Sequence, residues 1–476
     1  MATLSLLPQS LPGFLGAAAI TLLAGFGCLV FYNLFLHPLR SFPGPWYTRA
    51  SVLWFIYHSF KGDVPFLLHK LHLEYGPVVR LTPNEISYTD PKAWKDIYGH
   101  RNGIPENEKD ASQNFDADKA HPSIIHADKE MHSKMRRLLA NAFSDKSLRE
   151  QEPVIKQYVQ VLIRRLREQA EAGNTVDMVK WYNYTTFDVI GHLALAESFD
   201  CLQNSDYHPW VSAIGAAIKF GGPIQEKRAR GLHLTQEKLD RRRANDPPYT
   251  DLLTNFLKAE REGTLHPRDV DSNGPVIVIA GSETTATLLS GATYYLLTHP
   301  EVYKKLVHEV RSAFTSADEI TLSRVNALPY MLACLDETFR VYPPSMNSHP
   351  RRTPPQGATI LGQHIPGGSL LGMSHYATHR SPLNFAEPDK FIPERFIDTE
   401  DPRWANDKRE ALQPFNYGPR NCIGRNLAYI EMRIVIAQVL YHFDLELMPE
   451  SQNWLDQKVY LVWEKNPLFV RLKPVA

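Results

Sequence analysis

The chain has 476 residues, with 52 Lys and Arg balanced by 52 Asp and Glu and an apolar fraction of 43%. Zero formal charge and the lack of an arginine-rich tail exclude nucleic acid as a partner. The length permits one large domain. The four cysteines, Cys28, Cys201, Cys334 and Cys422, lie too far apart for a C-x-x-C pair or a disulfide framework, which points to a reducing compartment.

Phe14 to Leu36 carries no charged residue. At 1.5 Å per residue it spans roughly 34 Å, enough for a bilayer core. A cleaved signal peptide is the rival reading, but residues 1–13 hold no Lys or Arg and the apolar run is long. Arg40, Arg49 and Lys61 follow the run, which places the body of the chain in the cytosol. The expected organisation is a short lumenal stretch at 1–13, a single-pass anchor at 14–36, a Pro-rich hinge at 37–45 and a catalytic body at 46–476. No internal repeat or long linker divides that body.

Helical patterns dominate it. Val154 to Ala172, ended by Gly173-Asn174, Trp181 to Ala196, and Pro300 to Phe314 all read as helices. Val78 to Leu81 and Ala358 to Leu361 read as short strands before turns. The expectation is a mainly α protein with small β-sheets. Asn183-Tyr184-Thr185 fits a glycosylation sequon, but it falls in a predicted helix on the cytosolic side and is expected to stay unmodified. Arg241-Arg242-Arg243 reads as a solvated face.

Three constellations suggest chemistry. Ala280-Gly281-Ser282-Glu283-Thr284-Thr285 sits within a helical pattern from about Val276 to Leu297, with Asn273-Gly274-Pro275 at its first turn or a kink. Gly and paired Thr are poor helix residues, and a Thr hydroxyl can take over a backbone carbonyl and open the helix. Glu283 beside Thr284 then offers a proton path to a small ligand; the alternative is a small-residue packing face with Glu283 in an ion pair. Glu337 and Arg340 are spaced i, i+3, which is ordinarily a solvated helix face. Finally, Cys422 lies between Gly418 and Gly424, with Arg420 two residues upstream and a helical run after it. A tight turn at a helix N-terminus can stabilise a thiolate, and glycines let a flat macrocycle approach. A buried cysteine after a Gly-rich turn is the plain alternative.

Phe415 to Gly424 fits F-x-x-G-x-R-x-C-x-G at every fixed position, and so resembles the haem-ligand loop of the cytochrome P450 family. The Ala280–Thr285 segment is similar to that family's oxygen-binding motif. Glu337-Thr338-Phe339-Arg340 and Pro393-Glu394-Arg395-Phe396 match its E-x-x-R and P-E-R-F motifs. The resemblance covers most of the chain and is closest in flavour to microsomal fungal members acting on secondary metabolites, similar to trichothecene and polyketide hydroxylases.

It implies a P450 fold behind one transmembrane helix, and haem b with Cys422 as axial thiolate and metal ligand. A thiolate ligand pushes electron density onto the iron and favours O–O cleavage. Glu283 and Thr284 would be catalytic. Arg420, Arg136, His132, Arg351, Phe415 and Gly424 would bind the cofactor. His132 stands where the family's W-x-x-x-R motif has Trp, and Arg352 competes with Arg351 for the carboxylate contact. Glu337, Arg340 and Arg395 would form a structural ion triad.

The implied reaction is hydroxylation or epoxidation of a lipophilic terpenoid or polyketide with O2. Electrons would come from NADPH through cytochrome P450 reductase at the endoplasmic reticulum membrane, since no G-x-G-x-x-G nucleotide fingerprint is present. Membrane lipid is the remaining implied partner. A reductase-independent haem-thiolate isomerase or dehydratase, and a non-catalytic haem protein, are the alternatives. The region from Ile218 to Val276 is shorter than the family's usual substrate lid, which implies a more open pocket or a missing segment.

Overall fold

The computed structural model describes residues 11–100, 103–110, 118–208, 236–247, 249–347 and 349–475. Its first helix, Leu11–Phe31, has no buried residue and continues as a π-helical turn through Tyr32–Leu36. The most apolar 18-residue window of the combined span has a mean hydropathy of 2.2. A helix apolar all round with nothing packed on it is suited to lipid. Pro267–Thr298 is also long and apolar enough to cross a membrane, but 67% of its apolar window is buried within the protein, so it is a core helix.

The Pro-rich segment after the first helix is docked on the body. Leu39 and Phe42 are buried. The Arg80 N–H donates to Pro43 O at 2.7 Å. The buried Arg80 guanidinium donates to Asn33 O at 3.0 Å and Pro83 O at 2.8 Å. Gly44 has φ +148°, and a Cβ there would stand 2.8 Å from Arg80 O.

Arg80 belongs to a five-stranded sheet ordered Val78–Thr82, Glu85–Tyr88, Leu370–Met373, Arg351–Arg352 and Glu108–Lys109. The pairing of Glu85–Tyr88 with Leu370–Met373 is parallel and the rest antiparallel. Three smaller sheets complete the β content among the described residues. The predicted strands correspond to Val78–Thr82 and Ala358–Ile360.

The helical body is built from Lys129–Ala140, Asp145–Glu171, Met178–Leu195, Pro267–Thr298, Pro300–Ala313, Pro329–Val341 and Arg425–His442. Two of these start earlier than expected. Ser144 caps Asp145–Glu171 by accepting from the Ser147 N–H, and Pro153 lies inside the helix rather than before it. Pro267–Thr298 begins with proline in its first turn and a reciprocal cap between His266 and Asp269. Asn273-Gly274-Pro275 is therefore interior. The fully buried Asn273 amide donates to Asp269 O at 2.7 Å and accepts from the Ile124 N–H at 2.9 Å, a tertiary tie that holds the turn across Pro275.

The arginine run is not a solvated face. Arg242 is buried and paired with Asp251, and Arg243 bonds Glu260 and Asp271. Arg241 reaches Glu197. Asn183 is buried and donates to the Tyr207 hydroxyl at 3.3 Å, so the sequon is inaccessible in the folded protein. Phe220 to Arg230, on which the shortened-lid reading rests, lies outside the described residues.

One helix carries a titration signature. His72 is held down to about 4, mainly by burial, against a backbone bond to Gly76 O that raises it. Its Nδ1–H donates to Gly76 O and its Nε2 accepts from the Ser87 hydroxyl, both at 2.9 Å, as only the neutral ring can do. The unfolded chain binds this proton from about pH 6.5 downward and the folded one only near 4. His72 therefore costs about 1.4 kcal/mol of stability per unit as pH falls through that window. In urea titrations His72→Gln is expected to flatten the decline between these values; parallel curves would contradict it.

Candidate active site

Cys422 sits between the turn Gly418–Arg420 and the helix Arg425–His442. Its N–H donates to Phe415 O at 2.9 Å, closing the loop on itself. The Phe415 ring packs at 5.1 Å from Phe339 and 5.2 Å from Tyr429. The two loop glycines have different causes. Gly418 has φ +77°, and a Cβ there would fall 1.9 Å from Tyr98 O, so neighbouring backbone rather than a cofactor demands it. A Cβ at Gly424 would meet nothing closer than Phe143 at 3.8 Å, which leaves that side of the cysteine clear. Gly418→Ala is expected to cost about 4 kcal/mol or more, as for other substitutions that force buried backbone apart. A urea midpoint unchanged from wild type would show that the loop simply shifts.

The Cys422 side chain is exposed, yet it is surrounded deep within the fold. The two facts agree if the thiol faces an interior void. Burial pushes the thiol up, while the Gly424 N–H, Arg136 and Arg425 pull it down.

Cations collect nearby. Arg136 donates to Asn421 O at 2.6 Å and also to its side-chain oxygen. Arg420 donates to Ala127 O at 2.8 Å and meets Glu106 at 3.2 Å. Arg351 is only 2% exposed, lies 5.1 Å over the Tyr98 ring, and its Nη1 has no partner among the described residues. Arg352 points elsewhere, to Asp110 at 2.6 Å and Gly368 O at 2.8 Å. His132 is buried and held down to about 3, first by burial and then by Arg420, Lys109, Arg136 and Arg351. So many buried cations with an orphaned guanidinium nitrogen require anions. A flat macrocycle bearing carboxylates, ligated by a thiolate facing a void, fits this donor set.

The central helix Pro267–Thr298 has one exposed residue amid this segment, Ala280, although its neighbours Val278 and Ser282 are buried. Thr284 Oγ1 donates to Ala280 O at 2.7 Å, but the helix is continuous and shows no local opening. Gly281 is explained by packing, since a Cβ would stand 2.7 Å from Ile190 Cδ1. Glu283 forms an ion pair with Lys465, whose Nζ also donates to Thr287 Oγ1 at 2.7 Å. Glu431, on the helix after Cys422, bonds Thr285, and burial pushes it up to about 8, so it is neutral at pH 7.

Behind the cysteine loop, Glu337 takes Arg340 in a two-pronged bond at 2.7 and 2.8 Å and Arg395 at 3.4 Å. Asp407 bonds Arg395 from the other side. All three expected members are fully buried, and Asp407 turns a net positive triad into a neutral cluster. Asp407, Lys465, Glu431 and Asn421 carried no sequence signal, because each meets its partner only through tertiary folding.

The family profile described as Cytochrome P450 matches residues 41–221 and 224–471. The chain is 45% identical over 467 residues to the cytochrome P450 monooxygenase astA of Talaromyces wortmannii, covering 94% of each chain. It is 45% identical over 481 residues to the cytochrome P450 monooxygenase tpeC of Talaromyces stipitatus, covering 96% of this chain and 94% of the relative. Similarity to the averantin hydroxylase of Dothistroma septosporum is 41% over 491 residues, covering 96% and 92%.

Proposed function

The chain belongs to the cytochrome P450 family and is a haem monooxygenase, and from that premise we propose that it hydroxylates or epoxidises a lipophilic terpenoid or polyketide secondary metabolite. The observation that carries the haem-site assignment is the exposed Cys422 thiol within the fold beside the buried Arg351, whose Nη1 has no partner among the described residues. Haem bound at this site would supply the dioxygen activation that such an oxidation needs.

The chain's residues divide the remaining work. Cys422 would ligate the iron, with the Gly424 N–H tempering the thiolate charge. Arg351, Arg420, Arg136 and neutral His132 would hold the haem carboxylates. Phe415 and its aromatic neighbours exclude water from the thiolate side. Thr284 and Glu283 move protons from the central helix. That one relative is named a hydroxylase supports the oxidation class.

Electrons reach the site from NADPH through a separate reductase, and the catalytic body sits on the cytosolic face of the endoplasmic reticulum. Support for the membrane setting comes from Trp46, Leu53, Tyr57 and Phe60, 58–81% exposed in the short helices that follow the apolar span. Arg40, Arg49 and Lys61 lie among them.

The test is product formation by microsomes carrying the chain and reductase, with and without NADPH. Product that needs NADPH supports the proposal, whereas product without it supports the reductase-independent isomerase. Thr284→Ala is expected to keep NADPH oxidation while product per NADPH falls about tenfold or more, short of a full general acid–base effect. Unchanged coupling would remove Thr284 from the proton path.

A further inference from the structure

We propose that Lys465 is a positioning residue for oxygen chemistry, holding the Glu283 carboxylate on the Thr287 side of the central helix until proton delivery to Thr284 is required. The inference rests on the reading of Glu283 and Thr284 as the proton-delivering pair. Successive helix positions are turned by about 100°, so residues four apart share a stripe. Ala280 and Thr284 share one stripe, tied by the Thr284 bond to Ala280 O. Glu283 and Thr287 share the next, tied by Thr287 Oγ1 donating to Glu283 O at 2.7 Å. Lys465 bonds both the Glu283 carboxylate and the Thr287 hydroxyl, so it fixes the acid on the second stripe.

The hold is a built one. The Lys465 side chain is 4% exposed and that of Glu283 18%. An ammonium buried to that degree is costly without its carboxylate. The backbone around Lys465 is pinned on both sides. Trp463 donates to Pro343 O at 2.8 Å and stacks on Tyr342 at 4.2 Å. Asn466 donates to Asp456 O at 2.9 Å and accepts from Trp454 Nε1 at 2.7 Å. The Leu468 N–H donates to Asp177 Oδ1 at 3.0 Å.

Only the flexible lysine side chain is left to move. When the pair parts, the carboxylate takes a proton from a solvent hydronium ion, leaving water, and passes it to the Thr284 hydroxyl. That hydroxyl gives its own proton to the dioxygen being reduced by electrons from NADPH, and Glu283 returns to the carboxylate form that Lys465 recaptures. A residue far from the central helix in sequence thus sets where the acid rests.

The experiment compares Lys465→Met, Lys465→Gln, Lys465→Arg and Glu283→Gln in the full chain with reductase. The readouts are product per NADPH, the solvent deuterium isotope effect on product formation, and the thiolate-specific Soret band of the reduced carbon monoxide adduct. Lys465→Met and Lys465→Gln are expected to lower product per NADPH about threefold or more with the Soret band intact. Their isotope effect should rise, Lys465→Arg should restore coupling, and Lys465→Met should add nothing to Glu283→Gln. Normal coupling in both neutral variants beside an uncoupled Glu283→Gln would overturn the proposal and leave the acid's role standing. Normal coupling in Glu283→Gln would instead overturn the acid reading beneath it. Loss of the Soret band in both neutral variants would make Lys465 a structural support and also overturn the proposal.

Discussion

Cys422→Ala protein is expected to fold with its helical content unchanged and to form no oxygenated product. The asymmetry follows from how the loop is built. The turn is held by backbone: Cys422 N–H to Phe415 O, Asn421 N–H to Gly418 O, and Ala428 N–H to Gly424 O. None of these needs the sulfur. The thiol faces open space rather than packed neighbours, so its removal leaves no new core cavity. The loss falls wholly on iron ligation, for which no other thiol is placed. Cys28 lies in the apolar first helix, and Cys201 and Cys334 are buried elsewhere, where burial pushes both thiols up. Circular dichroism with product analysis checks this; oxygenated product from the alanine variant would contradict the assignment of Cys422.

Glu337→Gln is expected to be among the most destabilising single substitutions in the body. Glu337 accepts both prongs of Arg340, the Arg395 Nε–H, and the Ile392 N–H at 2.8 Å. Arg340 spends its remaining donors on His379 O, Pro388 O and Lys390 O. With Asp407 the cluster is neutral; without the Glu337 charge it keeps one buried cation in excess. Breaking such a pair costs about 3–5 kcal/mol, against a total of about 5–15 kcal/mol for a typical fold. Replacing Glu337 and Arg340 together by Met is expected to cost less than Glu337→Gln alone, because no unpaired charge remains. Urea midpoints of the two variants decide it; a double variant weaker than the single one would contradict the account.

The sequence made the cysteine loop and the two charged motifs legible because each is local: its residues fall within a turn or two of one another. The predicted strand at Val78 and the helix at Pro300 were readable for the same reason. Helix starts misled where the capping residue lies well upstream of the apolar pattern. Pro153 and Pro275 are interior because caps at Ser144 and His266 and the buried Asn273 amide outweigh their local cost. The arginine run looked solvated because its partners Asp251, Glu260 and Asp271 are set by folding.

Asp407 and Lys465 were invisible for the same physical reason. The acid and base of an ion pair far apart in sequence share no spacing rule. Of the two sequence readings of Glu283, the structure supplies the ion-pair partner, Lys465, which no spacing rule could have named.

If this chain places one atom of dioxygen into an organic substrate at a Cys422-ligated haem, oxygen from the gas must appear in the product. The most direct measurement is metabolite mass spectrometry under oxygen-18 gas. It compares strains carrying the native chain or Cys422→Ala, each with the reductase. The account predicts a product present only with the native chain, one oxygen heavier than the precursor that accumulates in the mutant, with that oxygen carrying the label. A native-only product of the same mass as its precursor, or one whose added oxygen is unlabelled, would contradict it.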